Sequence, residues 1–168
     1  MNDTGLSGQV SKGTPVKPDE KKLRILITDD SKLLRKKLRE ELEHLGCEVI
    51  EASNGKEAIM RDLEQEPDGV ILDIVMPEVG GIEALQVIRE VSPTVPIVML
   101  SSAGTPQKLM QTLKMGAIDF IQKPYTKEQI ARAVAAIRKA REKNLKKAAK
   151  ANTISATDEG GSSHNEEP

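Results

Sequence analysis

Residues 25–31 read Ile-Leu-Ile-Thr-Asp-Asp-Ser and decide the fold, because an apolar run ends there in two adjacent carboxylates, Asp29 and Asp30. A second apolar run, residues 70–72, ends in the same way at Asp73. If the two runs are neighbouring strands of a parallel sheet, the three carboxylates meet at one edge of that sheet. Acidic groups this close repel each other unless a cation lies among them, so the pattern predicts a divalent metal site.

The composition excludes several classes of function. The chain has 168 residues and a net charge of -1, which gives no general attraction to nucleic acid or to anionic membranes. Its only aromatic residues are Phe120 and Tyr125, too few to stack nucleic-acid bases. The single cysteine, Cys47, cannot form an intramolecular disulfide, and the amino terminus does not resemble a signal peptide. We therefore expect a cytoplasmic protein without a membrane span.

Short apolar runs alternate with helical patterns through the middle of the chain. Five runs have the length and β-branched character of strands buried on both faces: 25–28, 48–52, 70–73, 97–101 and 120–122. Capping signals and helical periodicity fill the gaps, with apolar residues expected on the inner faces of helices 1, 2 and 4 at Leu34, Leu38, Leu42, Leu45, Ala58, Ile59, Leu63, Leu109, Met110 and Leu113. This alternation predicts an α/β fold, a doubly wound five-stranded parallel sheet with five helices.

The chain divides into three segments. Residues 1–22 are rich in Gly, Ser, Lys and Pro and are expected to form a disordered tail, followed by one folded domain over residues 23–142. Residues 143–168 are expected to hold an extension of helix 5, ending near Lys146 and Lys147, and a disordered acidic tail from Ala151. The basic residues near the end of helix 5 could contact nucleic acid or an acidic partner, but a favourable interaction with the helix dipole is a sufficient explanation.

Polar residues identify the functional edge of the predicted sheet. Ligands of doubly wound sheets bind beyond the carboxyl ends of the strands, where Asp29, Asp30, Asp73, Ser101 and Lys123 all fall. Three carboxylates supply hard oxygen ligands but too few for a protein cage, which favours Mg2+ completed by water and phosphate. A lysine and a hydroxyl suit the remaining oxygens of a phosphoryl group. The set predicts phosphoryl transfer to a carboxylate.

Each of these residues also has a simpler interpretation. The pair Asp29-Asp30 could cap a helix, Asp73 and Ser101 could belong to turns, and Lys123 could be a solvated surface charge. Four of the five predicted strands nevertheless deliver a phosphate-binding type of group to one edge. This convergence favours one phosphate-binding site over unrelated roles for the individual residues.

The motifs, in their order and spacing over about residues 23–140, resemble the receiver domains of bacterial response regulators. The residues that carry the resemblance are Thr28-Asp29-Asp30-Ser31, Asp73-Ile74-Val75-Met76-Pro77, Ser101 and Lys123-Pro124-Tyr125. The resemblance implies a flavodoxin-like, CheY-like sheet with the strand order 2-1-3-4-5. It also implies that the Lys123-Pro124 peptide is cis.

The same resemblance implies a role for each site residue. Asp73 would be the phosphoacceptor, with Asp29, Asp30 and the backbone carbonyl of Val75 as further ligands of Mg2+. On activation, the remaining groups would respond to the phosphoryl group: the switch hydroxyl Ser101, the pairing lysine Lys123 and the reorienting aromatic Phe120.

The resemblance further implies a signalling switch that catalyses only its own phosphorylation and dephosphorylation. A sensor histidine kinase would supply the phosphoryl group, and the face formed by helix 4, strand 5 and helix 5 would contact a target protein, for example in chemotaxis or motility. A relay that passes phosphate to a histidine phosphotransfer protein stays open as an alternative. Little chain follows helix 5, so we expect a stand-alone receiver without direct DNA binding.

Some positions depart from the family pattern. Ser102 follows Ser101 where a smaller residue is usual, and Gly80-Gly81 replaces a common Asp-Gly. Val75 and Ala103 lack side chains that could position an attacking water, so we expect a long-lived phosphorylated state.

Three other functions compete with a receiver. A magnesium-dependent phosphohydrolase with an aspartyl-phosphate intermediate would usually carry a second acid two residues after the nucleophile, where this chain has Val75. A degenerate receiver would bind a partner without phosphorylation, against which the complete acid, hydroxyl and lysine set argues. A flavodoxin-like cofactor binder would need a Ser/Thr/Gly phosphate cradle after strand 1, which this chain lacks.

Overall fold

The computed structural model describes residues 21–76, 78–102 and 106–161, with side chains up to residue 151. The strands are β1 (Arg24–Thr28), β2 (Glu48–Ala52), β3 (Gly69–Asp73), β4 (Ile97–Ser101) and β5 (Asp119–Gln122). The helices are α1 (Lys32–His44), α2 (Gly55–Gln65), α3 (Gly81–Val91), α4 (Pro106–Lys114) and α5 (Lys127–Gly161). All five predicted strands and all five predicted helices are present.

The strands form one parallel sheet in the order β2-β1-β3-β4-β5, which confirms the expected architecture. Strands β3 and β4 are buried along their whole length because helices cover both faces. Alternate residues of β1 point to opposite sides: Leu26 joins a core with α2, α3 and α4, whereas Ile25 and Ile27 join a core with α1 and α5. The core is almost entirely aliphatic, as the composition requires.

Side-chain caps start two of the helices where the sequence predicted them. The Asn54 side chain accepts a hydrogen bond from the Glu57 N–H (2.8 Å), and the Glu57 carboxylate accepts one from the Ser53 N–H (2.6 Å). At α5, Thr126 and Gln129 exchange the two bonds of a capping box (3.1 and 2.8 Å). The cap predicted at Thr105 lies outside the described residues.

Fewer apolar helix residues are buried than the sequence periodicity predicted. Leu38 and Leu42 are buried as expected, but four other apolar residues of the expected inner sets are substantially exposed: Leu34, Leu45, Leu63 and Met110. Leu34 and Leu45 lie near the two ends of α1, and periodicity alone does not show where a helix passes beyond the sheet it covers.

Helix α5 is longer than predicted. It continues past Lys146 and Lys147 to Gly161, and the extent of the expected C-terminal tail stays a prediction. Residues 127–158 contain no Gly or Pro, and alanine and lysine, both good helix formers, are frequent around residue 148. Residues 1–20 and 162–168 lie outside the described part of the chain, so disorder there and the domain limits at 23 and 142 stay predictions.

Candidate functional site

The strand register brings two of the predicted acids side by side. Thr28 of β1 pairs with Leu72 of β3, so that Asp29 and Asp73 follow as neighbours at the carboxyl end of the sheet. Both residues are almost fully buried, whereas Asp30 is exposed. Carboxylate oxygens of all three residues lie within 4.8 Å of one another. The predicted acidic cluster is therefore present.

Lys123 lies between the two buried carboxylates. Its Nζ donates to Asp29 Oδ2 and to Asp73 Oδ2, each over 2.8 Å. The other oxygens accept from the backbone: Ser31 N–H donates to Asp29 Oδ1 (2.9 Å), and Val75 N–H donates to Asp73 Oδ1 (3.3 Å). The direct hydrogen bond from Lys123 to Asp29 was not predicted, because the sequence analysis assigned the lysine only to a phosphoryl group.

Burial and charge shift the pKa values of this pair. Burial raises the pKa of Asp73, and the hydrogen bond and charge of Lys123 only partly offset that effect. Burial lowers the pKa of Lys123, but the hydrogen bonds and charges of Asp29 and Asp73 outweigh burial, so that its pKa is raised. Lys123 is therefore a cation at neutral pH.

The donor atoms fit Mg2+ in chemistry and in charge. One ammonium group faces three carboxylates, so the cluster keeps a net negative charge that a divalent cation would balance. All available side-chain ligands are hard oxygens, as magnesium prefers. Among the described residues, Asp30 makes no hydrogen bond or ion pair that would occupy its carboxylate. The backbone of Val75 already contacts Asp73 through its N–H.

Ser101 ends the neighbouring strand β4 with a buried hydroxyl. Its Oγ makes no hydrogen bond within the described residues, although the residue is only 1% exposed. Ser102, the other candidate switch hydroxyl, is exposed. A buried polar atom without a partner is costly and needs an explanation. A phosphoryl oxygen at this edge would supply the missing hydrogen-bond acceptor.

The aromatic residues lie on opposite sides of the sheet. Phe120 is half-buried and packs against the core shared with α4, whereas Tyr125 packs against the core shared with α1. Tyr125 also lines a cleft of about 740 Å³ between α1 and the segment after β5, together with Leu34 and Lys123. The Lys123-Pro124 peptide is cis, as the resemblance implied.

The comparisons with known proteins agree with this geometry. The family model for the response regulator receiver domain matches residues 25–135, which include the three acids, Ser101 and Lys123. The chain belongs to this family. It is thus a receiver domain of two-component signalling. The strand order of its α/β sheet, 2-1-3-4-5, is the order that the family resemblance implied.

Two relatives differ in how much of their own length this receiver covers. The chemotaxis protein CheY of Thermotoga maritima is 38% identical over 112 residues, which are 66% of this chain and 93% of that protein. A protein-glutamate methylesterase/protein-glutamine glutaminase of Archaeoglobus fulgidus is 44% identical over 105 residues. That match covers 61% of this chain but only 30% of the relative.

Solved structures give the same result. The chemotaxis protein CheY4 of Vibrio cholerae superposes with a TM-score of 0.66 at 28% identity, over 70% of this chain and 99% of that one. CheY from a CheX-CheY-BeF3-Mg2+ complex of Borrelia burgdorferi has the same TM-score at 31% identity, over 68% and 88% of the two chains. Among the described helices of the present receiver, none combines the length and the apolar character that a bilayer span requires.

Sequence analysis missed two residues that hold the site in place. Arg35 of α1 donates to the backbone carbonyl of Asp29 (2.7 Å) and to the Glu51 carboxylate of β2 (2.9 Å), which ties the acidic loop to the sheet. Gly81 begins α3 so close to β3 that a Cβ atom there would overlap the Asp73 carbonyl oxygen. The position of Arg35, one turn into the helix that follows the acids, is the signal that could have identified it.

Proposed function

We propose that this receiver is a phosphorylation-activated switch in which Asp73 accepts a phosphoryl group from a sensor histidine kinase. One observation carries the proposal: Lys123 Nζ holds Asp73 at 2.8 Å while Ser101 Oγ, at the end of the next strand, is buried without a partner among the described residues. A phosphoryl group on Asp73 would use both. The CheY structure solved with Mg2+ supports the role of the cation.

Asp29, Asp30, Asp73 and the Val75 carbonyl would hold Mg2+. When bound, the ion would offset the negative charge of the phosphoryl oxygens. The chain itself supplies the nucleophile, because Asp73 Oδ2 is fixed by Lys123 while its Oδ1 accepts from the Val75 N–H. The attacking carboxylate oxygen forms the new bond to phosphorus, and the donor nitrogen or oxygen leaves with the bonding electron pair.

Lys123 changes partners during this reaction. Before phosphorylation its ammonium balances two buried carboxylates. Aspartyl phosphate carries nearly two negative charges and three acceptor oxygens, so it attracts the ammonium away from the Asp29 and Asp73 oxygens. Ser101 Oγ gains an acceptor at the same time. The reaction product would therefore be stabilised by the Lys123 ammonium, taken from the two carboxylates, and by the Ser101 hydroxyl, which is unused among the described residues of the resting protein.

Movement of Ser101 and its loop would transmit the change to the surface. Phe120 of β5 follows in the same sheet, where Met99 of β4 pairs with it. We infer that displacement of the β4 end lets Phe120 turn further into the core and reshapes the face formed by α4, β5 and α5. A target protein would recognise that face. The proposed cytoplasmic location and the absence of direct DNA binding complete this hypothesis.

Incubation with acetyl phosphate and Mg2+ tests the acceptor. We expect one phosphoryl addition by intact mass, absent in Asp73→Asn and present in Asp119→Asn, a control that removes a carboxylate outside the cluster. Normal phosphate uptake by Asp73→Asn would reject Asp73 as acceptor. A second incubation with phosphorylated kinase, without acetyl phosphate, tests the histidine donor.

A further inference from the structure

The far half of α5 is fixed against the domain at the amino-terminal ends of the strands, whereas the acids lie at the carboxyl ends. Arg141 Nε donates to Asp68 Oδ1 (2.6 Å) at the start of β3, and Asp68 Oδ2 accepts from the Arg24 N–H (2.8 Å). One turn on, Asn144 Nδ2 donates to the Thr94 carbonyl (2.7 Å). These contacts determine which side of α5 faces the domain.

The opposite side of the helix carries a continuous row of lysines, called here the lysine stripe. With 3.6 residues per turn, its members fall within an arc of about 100° and extend over about 16 Å. All five side chains are exposed: Lys139, Lys143, Lys146, Lys147 and Lys150. Residues 138–151 hold seven of the 25 basic residues of the chain and one of its 26 acidic residues.

Two ordinary explanations do not account for the stripe. The helix dipole acts within the last turn, but α5 continues from Lys150 to Gly161, which places all five lysines in the helix interior. Pairing within the helix is the second explanation, yet none of the five forms an ion pair in the described part of the chain. Even Glu142, four residues before Lys146, makes none.

We propose that the lysine stripe is a docking surface for an acidic segment of a partner protein. Charge complementarity selects the sign of the partner, and the length of the stripe matches a segment of about three helical turns. The rest of the chain has more acidic than basic residues. A long polyanion such as duplex DNA would extend beyond the stripe to parts of the protein whose net charge is negative, whereas a short acidic segment would not.

Lysine chemistry supports the same choice. The two arginines of this segment, Arg138 and Arg141, are partly buried and are not members of the stripe. Bidentate contacts to phosphates or base edges are typical of arginine. An isolated lysine ammonium is a point charge, which pairs well with a single carboxylate. The stripe is also distinct from the acidic site, because its five lysines lie on the half of α5 that contacts the amino-terminal ends of β3 and β4.

Fluorescence anisotropy with a labelled peptide tests the proposal on the full chain. The probe is a helical peptide of about 16 residues with glutamates on one face, and the reference peptide carries glutamines there. We expect the acidic peptide alone to bind, more weakly as salt is raised. K143Q/K147Q should weaken binding roughly fivefold, as expected for the loss of two exposed ion pairs, while K36Q/K56Q stays within about twofold.

Glutamine keeps the helix propensity of lysine, and circular dichroism and phosphate uptake on Asp73 confirm that both variants are folded. Equal weakening by the two double variants would overturn the proposal, since general charge would then explain binding. Tighter binding of a 20-base-pair duplex, on the order of the size of one protein footprint, or of anionic vesicles, would overturn the class of partner.

Discussion

Lys123 Nζ lies 2.8 Å from Asp73 Oδ2 and at the same distance from Asp29 Oδ2, so that one ammonium group balances two buried carboxylates. The sequence predicted a repelling cluster that requires a metal. The protein meets part of that requirement itself, and the proposed phosphorylation would give the lysine a new partner.

Replacement of Lys123 by Met should destabilise the resting protein. Two buried carboxylates would lose their cation, which costs about 3 kcal/mol when one partner of a buried pair is removed. Urea unfolding without metal measures the loss, and added MgCl2 should restore part of it. Lys127→Met is the control, because Lys127 is exposed and makes no such pair. Equal unfolding free energies for the two variants would contradict the proposed charge balance.

Ser101→Ala should leave the unphosphorylated protein as stable as wild type, or more stable by up to about 1 kcal/mol, because it removes a buried polar atom that has no partner in the described part of the chain. The phosphorylated protein should lose binding to its target. Ser102→Ala, at an exposed hydroxyl, is the control and should change neither property. A large loss of stability in resting Ser101→Ala would show that the hydroxyl already has a structural role.

Phosphorylated Asp73 should be long-lived. Val75, two residues after Asp73, is 60% exposed, and its side chain offers no polar atom to orient water. Val75→Asn introduces such a group and should speed hydrolysis by about tenfold or more. Loss of phosphate after removal of the donor is timed by gel mobility, with Val91→Asn as an exposed control on α3. Complete loss from wild type within seconds would rule out this account.

Gly81→Ala should be strongly destabilising, by about 2 kcal/mol or more, because its Cβ would overlap the Asp73 carbonyl oxygen. The neighbouring Gly80 is the matched control. A Cβ there would make only ordinary contacts, at 3.7 Å from the Ile74 carbonyl oxygen and 3.8 Å from the Glu83 carboxylate. Chemical denaturation measures the free energy of unfolding of both alanine variants. A loss in Gly81→Ala alone would be due to the overlap with the Asp73 carbonyl, whereas equal losses would show a general effect of replacing glycine.

Asp62→Asn should make stability less dependent on pH. Asp62 is 1% exposed, and burial raises its pKa although Ser92 and Arg89 act in the opposite direction. The ionised form therefore costs stability at neutral pH, and protonation relieves this cost as pH falls towards the ordinary value of about 4. The variant should be at least as stable as wild type at pH 7, and urea titrations should show its advantage shrinking towards pH 4.

The sequence predicted the fold well because local and global signals agree. Continuous β-branched runs, the caps at Asn54 and Thr126, and alternation of strand and helix all point to a doubly wound sheet. The five site positions also followed from the sequence, because each is the polar residue that ends or follows a strand. Their functional roles stay predictions.

Other features depend on distances that a sequence does not contain. Nothing in the motif around Lys123 shows that its ammonium reaches Asp29, 94 residues away in the chain. The length of α5 was missed because its far half is polar on most sides, so periodicity ends although the helix continues. Arg141 and Asn144 fix that half through single polar contacts, which leave no apolar pattern.

The scarcity of aromatic residues has an optical consequence. Tyr125 is the only tyrosine, and the chain has no tryptophan. Its half-buried phenol lies two residues after Lys123 in the cleft beside α1. Tyrosine emission from this protein therefore originates at a single point, in the cleft that Lys123 also lines. If the proposed metal binding or phosphorylation changes the surroundings of Tyr125, an unlabelled sample would report that change through its own fluorescence, without background from the rest of the fold.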